Sequence, residues 1–304
     1  MRFYLMLAGI NIYWGVTQVL IKHALLYMSS STYTALRFGT AAVLMLALLF
    51  ARRSVPSRET VMHGVILGSM VAGQTLLNSA SLYFTSTANS VFIAQLSIVA
   101  VPAYYMLRER KPPTRDYLIA VVLMLAGLCM FADVAHGALN IGDAIVALSM
   151  LTICVQIIYG ARVTAHDDLF QLAAVQMITA GVVSCAVAAP QGFEVAWNPT
   201  SVGIIVLTGI VGSGVCNSLR LVAQKHVEPT AVSFINILHP VFAMVGAAVI
   251  PNELGQVEPI LWFKVLGSIV MIVGMTYYLA RSSKIALRAA PQISDGMPDS
   301  AMGK

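Results

Sequence analysis

Ten stretches of mostly apolar residues, each about as long as a bilayer is thick, follow one another with only short turns between them. They run near 3–22, 32–51, 61–82, 87–107, 116–133, 140–161, 170–189, 201–222, 229–250 and 261–281. A helix needs about 20 such residues to cross the hydrocarbon core, where every backbone amide must be satisfied within the segment. The turns SVPSRE, KPPTRD, PQGFEVAWNP and PNELGQVEP carry the residues that break helices. The expected fold is therefore an all-α membrane protein of ten transmembrane helices. Composition agrees, with 58% of the 304 residues hydrophobic and only 10% charged, against about 25% charged in soluble domains. So little charge cannot clothe a water-facing surface, and the net charge of +5 is not read as nucleic-acid binding. No small-x-small cleavage site follows MRFYLMLAGINIYWGV, so this run is expected to be a retained first span.

The basic residues fix an orientation. With the N-terminus in the cytoplasm, the inner segments hold Arg2, Arg52, Arg53, Arg58, Arg108, Arg110, Lys111, Arg115, Arg162, Lys225, Arg281, Lys284, Arg288 and Lys304. The outer side keeps Lys22 and Lys264, and Arg37 and Arg220 fall within spans. This bias places both termini inside and makes the number of spans even.

The two halves of the chain resemble each other. STANSVFIAQLSIVAVP in the fourth span matches EPTAVSFINILHPVFAMV in the ninth, and a glutamate, Glu109 or Glu253, follows each. Asn78-Ser79 precedes the one and Asn217-Ser218 the other. The expected organisation is a first five-helix repeat at 1–135, a second at 136–284 and a disordered tail at 285–304. Five is odd, so the second repeat is inverted, an architecture that puts a transporter's site near the midplane between the halves. Pro102 lies about four residues beyond Ile98, where Pro240 would align, which predicts a kink displaced toward the cytoplasm.

Polar side chains in hydrocarbon need a partner or water, so polar residues at helical spacing mark faces turned inward. Asn11, Trp14 and Gln18 share a stripe, as do Gln74 and Asn78; Phe92 and Gln95; Gln156 and Tyr159; Ser213, Asn217 and Arg220; and Asn236 and His239. With Tyr83, these are the candidate substrate-binding residues. Amides and hydroxyls of this kind suit a neutral or zwitterionic solute. Arg37 and Arg220 are candidates for a gate or for a substrate carboxylate, since an intramembrane arginine costs about 2.5–3.5 kcal/mol on insertion scales. Arg37 lies about 9 Å from the start of its span and within snorkelling reach of the interface. Ala120 and Gly127, with Gly267 and Gly274, repeat at seven-residue spacing and suit close packing of the fifth span on the tenth. Cys129, Cys154, Cys185 and Cys216 form no CxxC pair and read as packing residues, so no metal or cofactor is expected. Asp116, Asp133, Asp143, Glu109 and Glu253 all lie near span ends. That arrangement favours uncoupled or weakly coupled transport, because ion-coupled carriers bury carboxylates.

Several of these pieces resemble the drug/metabolite transporter superfamily, and within it the ten-helix EamA-type exporters. They are Trp14-Gly15, Arg37, the run 80–90 leading to Pro102 and Glu109, Gly142-Asp143, Pro229, His239-Pro240-Val241-Phe242, Glu253, Gly267 and Gly274, and the resemblance extends from Gly9 to Arg281. It implies a multi-pass inner-membrane exporter of small metabolites, amino acids foremost, with the aromatic amino-acid exporters as the specific group. Export of other metabolites or drugs by proton exchange is the alternative. A channel ranks below a carrier, because no charge ring or carbonyl filter is visible. An intramembrane hydrolase pairing Ser213 with His239 is the remote alternative. A functional monomer is expected, since ten helices enclose a pathway without a partner.

Overall fold

A computed structural model describes residues 2–81, 83–85, 87–110, 112–132, 140–251, 257 and 259–289. Lys111, Asp133, Glu253 and the tail beyond residue 289 lie outside the described residues. In chain order the helices are α1 Arg2–Ala24, α2 Ser30–Ala51, α3 Arg58–Ser81, α4 Thr87–Gln95, α5 Ser97–Glu109, α6 Arg115–Ala132, α7 Ile141–Val163, α8 Leu169–Ala188, α9 Pro199–Val206, α10 Cys216–Gln224, α11 Pro229–Ile235, α12 Leu238–Val249 and α13 Trp262–Ala289. A π-helical segment, Leu207–Val215, joins α9 to α10. Among the described residues there is no strand, and Met28 and Val195 form an isolated bridge. Among the described residues, eight helical runs are long and apolar enough to cross a membrane: α1, α2, α3, α7, α8, α13 and the composite runs Pro199–Gln224 and Pro229–Val249. The α4–α5 pair and the 18-residue α6 lie outside that set. The last helix continues to Ala289, five residues past Lys284.

Local chemistry sets the helix starts. Thr32 N–H donates to Ser29 Oγ at 3.2 Å and Gln171 N–H to Asp168 Oδ1 at 2.9 Å, the bonds of side-chain N-caps. Asn140 and Asp143 cap α7 reciprocally, and Asn198 and Ser201 do the same for α9, with Pro199 at its first position. Asp143 also accepts from the Thr85 hydroxyl, tying the α3–α4 turn to α7.

Two runs are broken, and in the same manner. Leu96 N–H donates to Ile93 O at 3.1 Å and Val99 N–H to Leu96 O at 2.9 Å; Ile237 N–H donates to Phe234 O at 3.1 Å and His239 N–H to Asn236 O at 3.0 Å. These i→i−3 bonds tighten the chain ahead of either proline. The fourth run therefore breaks at Leu96, and the displacement toward Pro102 expected from the sequence does not occur. Pro102 sits inside α5, where the loss of one donor does not end the helix.

The runs alternate between two ends. At one end the Arg52 guanidinium lies 4.2 Å over the Phe170 ring, Gln171 donates to Ser54 at 2.8 Å, His63 meets Asp167 at 2.6 Å, and Tyr277 donates to Asp116 at 2.6 Å. Phe3 stacks on His226 there at 4.1 Å. At the other end Ser31 donates to Gln191 at 2.6 Å and His23 meets the Pro251 carbonyl at 2.7 Å, beside the Met28–Val195 bridge.

Between the ends, α6 packs on α13, α2 on α8, α3 on α7 and α8, α1 on α12 and α10, α2 on the π segment, and α4 and α5 on α7. The α6–α13 contact uses the residues that the seven-residue spacing marks. A Cβ on Gly127 would lie 2.5 Å from Gly267 O, and one on Gly267 would lie 2.6 Å from Gly127 O. One on Gly274 would lie 2.9 Å from Ala120 O. The largest core cluster joins Leu7, Ile98, Met124, Ile157, Phe234 and Met271. Phe50, Val122 and Val249 are exposed on the outside, the apolar exterior that suits lipid contact. Cys154 and Cys216 are buried, whereas Cys129 is exposed rather than packed.

Candidate functional site

The π segment carries three glycines, Gly209, Gly212 and Gly214, around Ser213. Without a Cβ at Gly209, it approaches α2 closely: a methyl there would lie 2.8 Å from Arg37 O. A π turn shifts backbone hydrogen bonding by one residue, and such turns recur at functional sites. Here side chains from α1 meet its carbonyls. Tyr13 OH donates to Leu207 O at 3.1 Å, and Trp14 Nε1–H donates to Gly212 O at 3.0 Å.

Two arginines converge on this segment and the helix after it. Arg37 does not snorkel; its Nε–H donates to Ser213 Oγ at 2.8 Å. Arg220, only 8% exposed, donates from Nη1 to Gln156 Oε1 at 3.2 Å, and its guanidinium lies 5.8 Å from the centre of the Trp14 ring. Asn217 donates to Ser213 O at 3.1 Å and holds the intervening turn. Among the described residues no carboxylate pairs with either arginine. Arg220 Nε and Gln224 Nε2, one turn apart on α10, are buried donors without an acceptor. A buried guanidinium lacking a counter-ion is costly, so this arrangement favours an anionic group beside it.

The structure thus brings together Trp14, Arg37, Gln156, Ser213, Asn217 and Arg220. Other candidates have different settings. Asn11 is buried but donates to Leu7 O of its own helix at 2.9 Å. Gln18 is half-buried on α1. Gln74 accepts from Ser149 through its backbone carbonyl at 3.0 Å, and Asn78 donates to Ser90 at 3.4 Å. Gln95 Oε1 is buried without a donor. Phe92 packs on the large core cluster, and Tyr159 stands edge-on to His63 at 5.9 Å. Asn236 lies at the break between α11 and α12. The His239 carbonyl faces Gly15, where a Cβ would lie 2.6 Å away. Tyr83 sits in the turn after α3 and is 74% exposed, because α3 ends at Ser81. No hydrogen bond among the described residues joins Ser213 to His239, and Arg37 occupies the serine oxygen.

Sequence reasoning missed Tyr13, the π segment and the His63–Asp167 pair. The three closely spaced glycines were the available signal for the π segment.

The sequence profile of the EamA-like transporter family matches residues 1–132 and 140–280. The chain belongs to this family and is a multi-pass membrane transporter of small molecules. It is 27% identical over 136 residues to the uncharacterized transporter YyaM of Bacillus subtilis (strain 168), a stretch covering 43% of this chain and 44% of YyaM. An uncharacterized transporter of Archaeoglobus fulgidus is 23% identical over 286 residues, 90% of this chain and 95% of that protein. A protein of known crystal structure shares the fold with a TM-score of 0.73, covering 93% of this chain and 98% of its own at 15% identity.

Proposed function

We propose that this transporter exports amino acids, aromatic ones included, across the inner membrane by rocking two inverted five-helix halves about the Arg37–Arg220 site. The observation that carries the substrate class is Arg220: a buried guanidinium with a free donor, no acidic partner among the described residues, and an indole face beside it. An amino acid supplies the missing carboxylate, and Trp14 gives an apolar side chain a surface.

The inverted repeat is supported by the packing scheme. Assign α1, α2, α3, α4–α5 and α6 to one half, and α7, α8, α9–α10, α11–α12 and α13 to the other. Exchanging the halves then turns α1–α12 contact into α7 with α4–α5, α3–α8 into the π segment with α2, and α3–α7 into α10 with α1. The α2–α8 and α6–α13 contacts map onto themselves. The family profile also matches twice, once per half. For orientation, the end that gathers Arg52, Arg108, Arg162, Lys225 and Arg281 is assigned to the cytoplasm.

The carboxylates of the described helices sit at their ends, as Asp116 and Asp143 do, which favours transport driven by the substrate gradient. The test is counterflow of labelled amino acids into proteoliposomes holding the purified protein. Saturable counterflow that survives a protonophore at fixed substrate gradient is expected. Collapse of transport with the protonophore would replace this mechanism by proton exchange. Non-saturable flux without counterflow would indicate a channel.

A further inference from the structure

Two interfaces that the exchange of halves would superimpose differ in this structure. The α1–α12 interface is shut. A Cβ on Gly15 would lie 2.8 Å from Phe242 Cβ, one on Gly246 would lie 3.0 Å from Val16 Cα, and His23 meets the Pro251 carbonyl at 2.7 Å where the two helices end. Its counterpart, α7 against α5, instead parts into an open cleft of about 730 Å³ lined by Tyr104, Tyr105, Arg108, Ile158, Tyr159 and Arg162 among others.

The two charged side chains that line this cleft are both basic. Arg108 and Arg162 supply two guanidiniums, and neither makes an ion pair among the described residues. Two acids stand close by: Glu109 follows Arg108 at the end of α5, and Asp167, five residues beyond Arg162, has both its oxygens engaged, by Thr60 at 3.1 Å and His63 at 2.6 Å. Helix α7 connects the cavity to the buried site. Val155 and Tyr159 line the cavity, while Gln156 between them holds Arg220.

We propose that the α5–α7 cavity is the inner mouth of the transport path and admits solutes bearing a carboxylate, which Arg108 and Arg162 draw in and Arg220 receives. The structure is then the state open at α5–α7 and shut at α1–α12. This inference rests on the carrier reading above. A basic, low-dielectric cleft raises the local concentration of an anion, an effect of about tenfold or more that salt weakens.

The test uses full-length protein in which the four native cysteines are replaced by alanine, carrying Ile158→Cys, with Tyr105→Cys as the second position should the first fold poorly. Sealed vesicles of both orientations are treated with methanethiosulfonates bearing a sulfonate or a trimethylammonium group. Labelling is expected from the inner side, about tenfold faster with the sulfonate, and the preference should vanish after Arg108→Gln with Arg162→Gln. In transport, that double variant should raise the half-saturating concentration of a net-anionic, acidic amino acid about tenfold from the inner side and less from the outer, with a smaller rise for a zwitterionic one. Equal rates for the two reagents, or labelling from the outer side alone, would overturn the assignment. The carrier reading fails separately, if the unlabelled protein shows no counterflow of any amino acid while the labelling pattern holds.

Discussion

Replacing Arg220 with methionine is expected to lower amino-acid counterflow about a hundredfold while leaving the melting temperature of the substrate-free protein unchanged or raised. The reasoning separates two roles. Truncating one partner of a desolvated charge pair costs about 2–5 kcal/mol, and about 3 kcal/mol corresponds to two decades in binding. In the empty protein, by contrast, the guanidinium is buried with Gln156 as its hydrogen-bond partner and with Nε unsatisfied. Removing an uncompensated buried charge relieves a desolvation penalty, and methionine keeps the apolar stem. A purely structural arginine would give the reverse result, a lower melting temperature with transport reduced only in proportion to the folded protein. Arg220→Lys should recover part of the activity at most, since an ammonium cannot hold Gln156 and a bidentate carboxylate in one plane.

Gly267→Leu is expected to destabilise the protein by about 3 kcal/mol, the upper end of what overpacking a filled interior costs, or about 5 °C in melting temperature. The clash is with backbone on the neighbouring helix: a Cβ would lie 2.6 Å from Gly127 O and 2.9 Å from Phe131 N. No rotamer change can relieve that contact, so α6 and α13 must separate. Gly73→Ala is the control, because nothing lies within 4 Å of its added methyl. It should melt at or above the wild-type temperature, as expected when a helical glycine is replaced without strain. Thermal unfolding of the detergent-solubilised variants followed by intrinsic fluorescence checks both. Equal stability of Gly267→Leu and wild type would mean that the α6–α13 contact does not hold the bundle together.

Much of the helical framework was legible because its determinants are local. Apolar runs and the seven-residue spacing of Ala120 with Gly127, and of Gly267 with Gly274, all act within one or two turns. The site was partly legible for the same reason. Helical periodicity placed Trp14, Gln156, Ser213, Asn217 and Arg220 on inward faces, and those residues meet. It could not distinguish a side chain that reaches a neighbour from one that bonds to its own helix, as Asn11 does with Leu7. The closely spaced glycines marked the π segment only as a place of close packing, because the partners that engage its carbonyls, Tyr13 and Trp14, lie far along the chain. Its counterpart in the first half, α3, runs unbroken from Arg58 to Ser81. Pairing of the halves by sequence therefore gave no hint of it. The kink near Pro102 was misplaced because proline chemistry suggested a break that backbone tightening at Leu96 had already made.

Sidedness of two loops decides most directly whether the halves are inverted about one site. With the native cysteines removed, Val55→Cys in the turn before α3 and His226→Cys in the turn after α10 are labelled with a membrane-impermeant maleimide in sealed vesicles of known orientation. Both should react from the cytoplasmic face and neither from the outside. Reaction of the two from opposite faces would contradict the inverted arrangement and, with it, transport by rocking one half against the other.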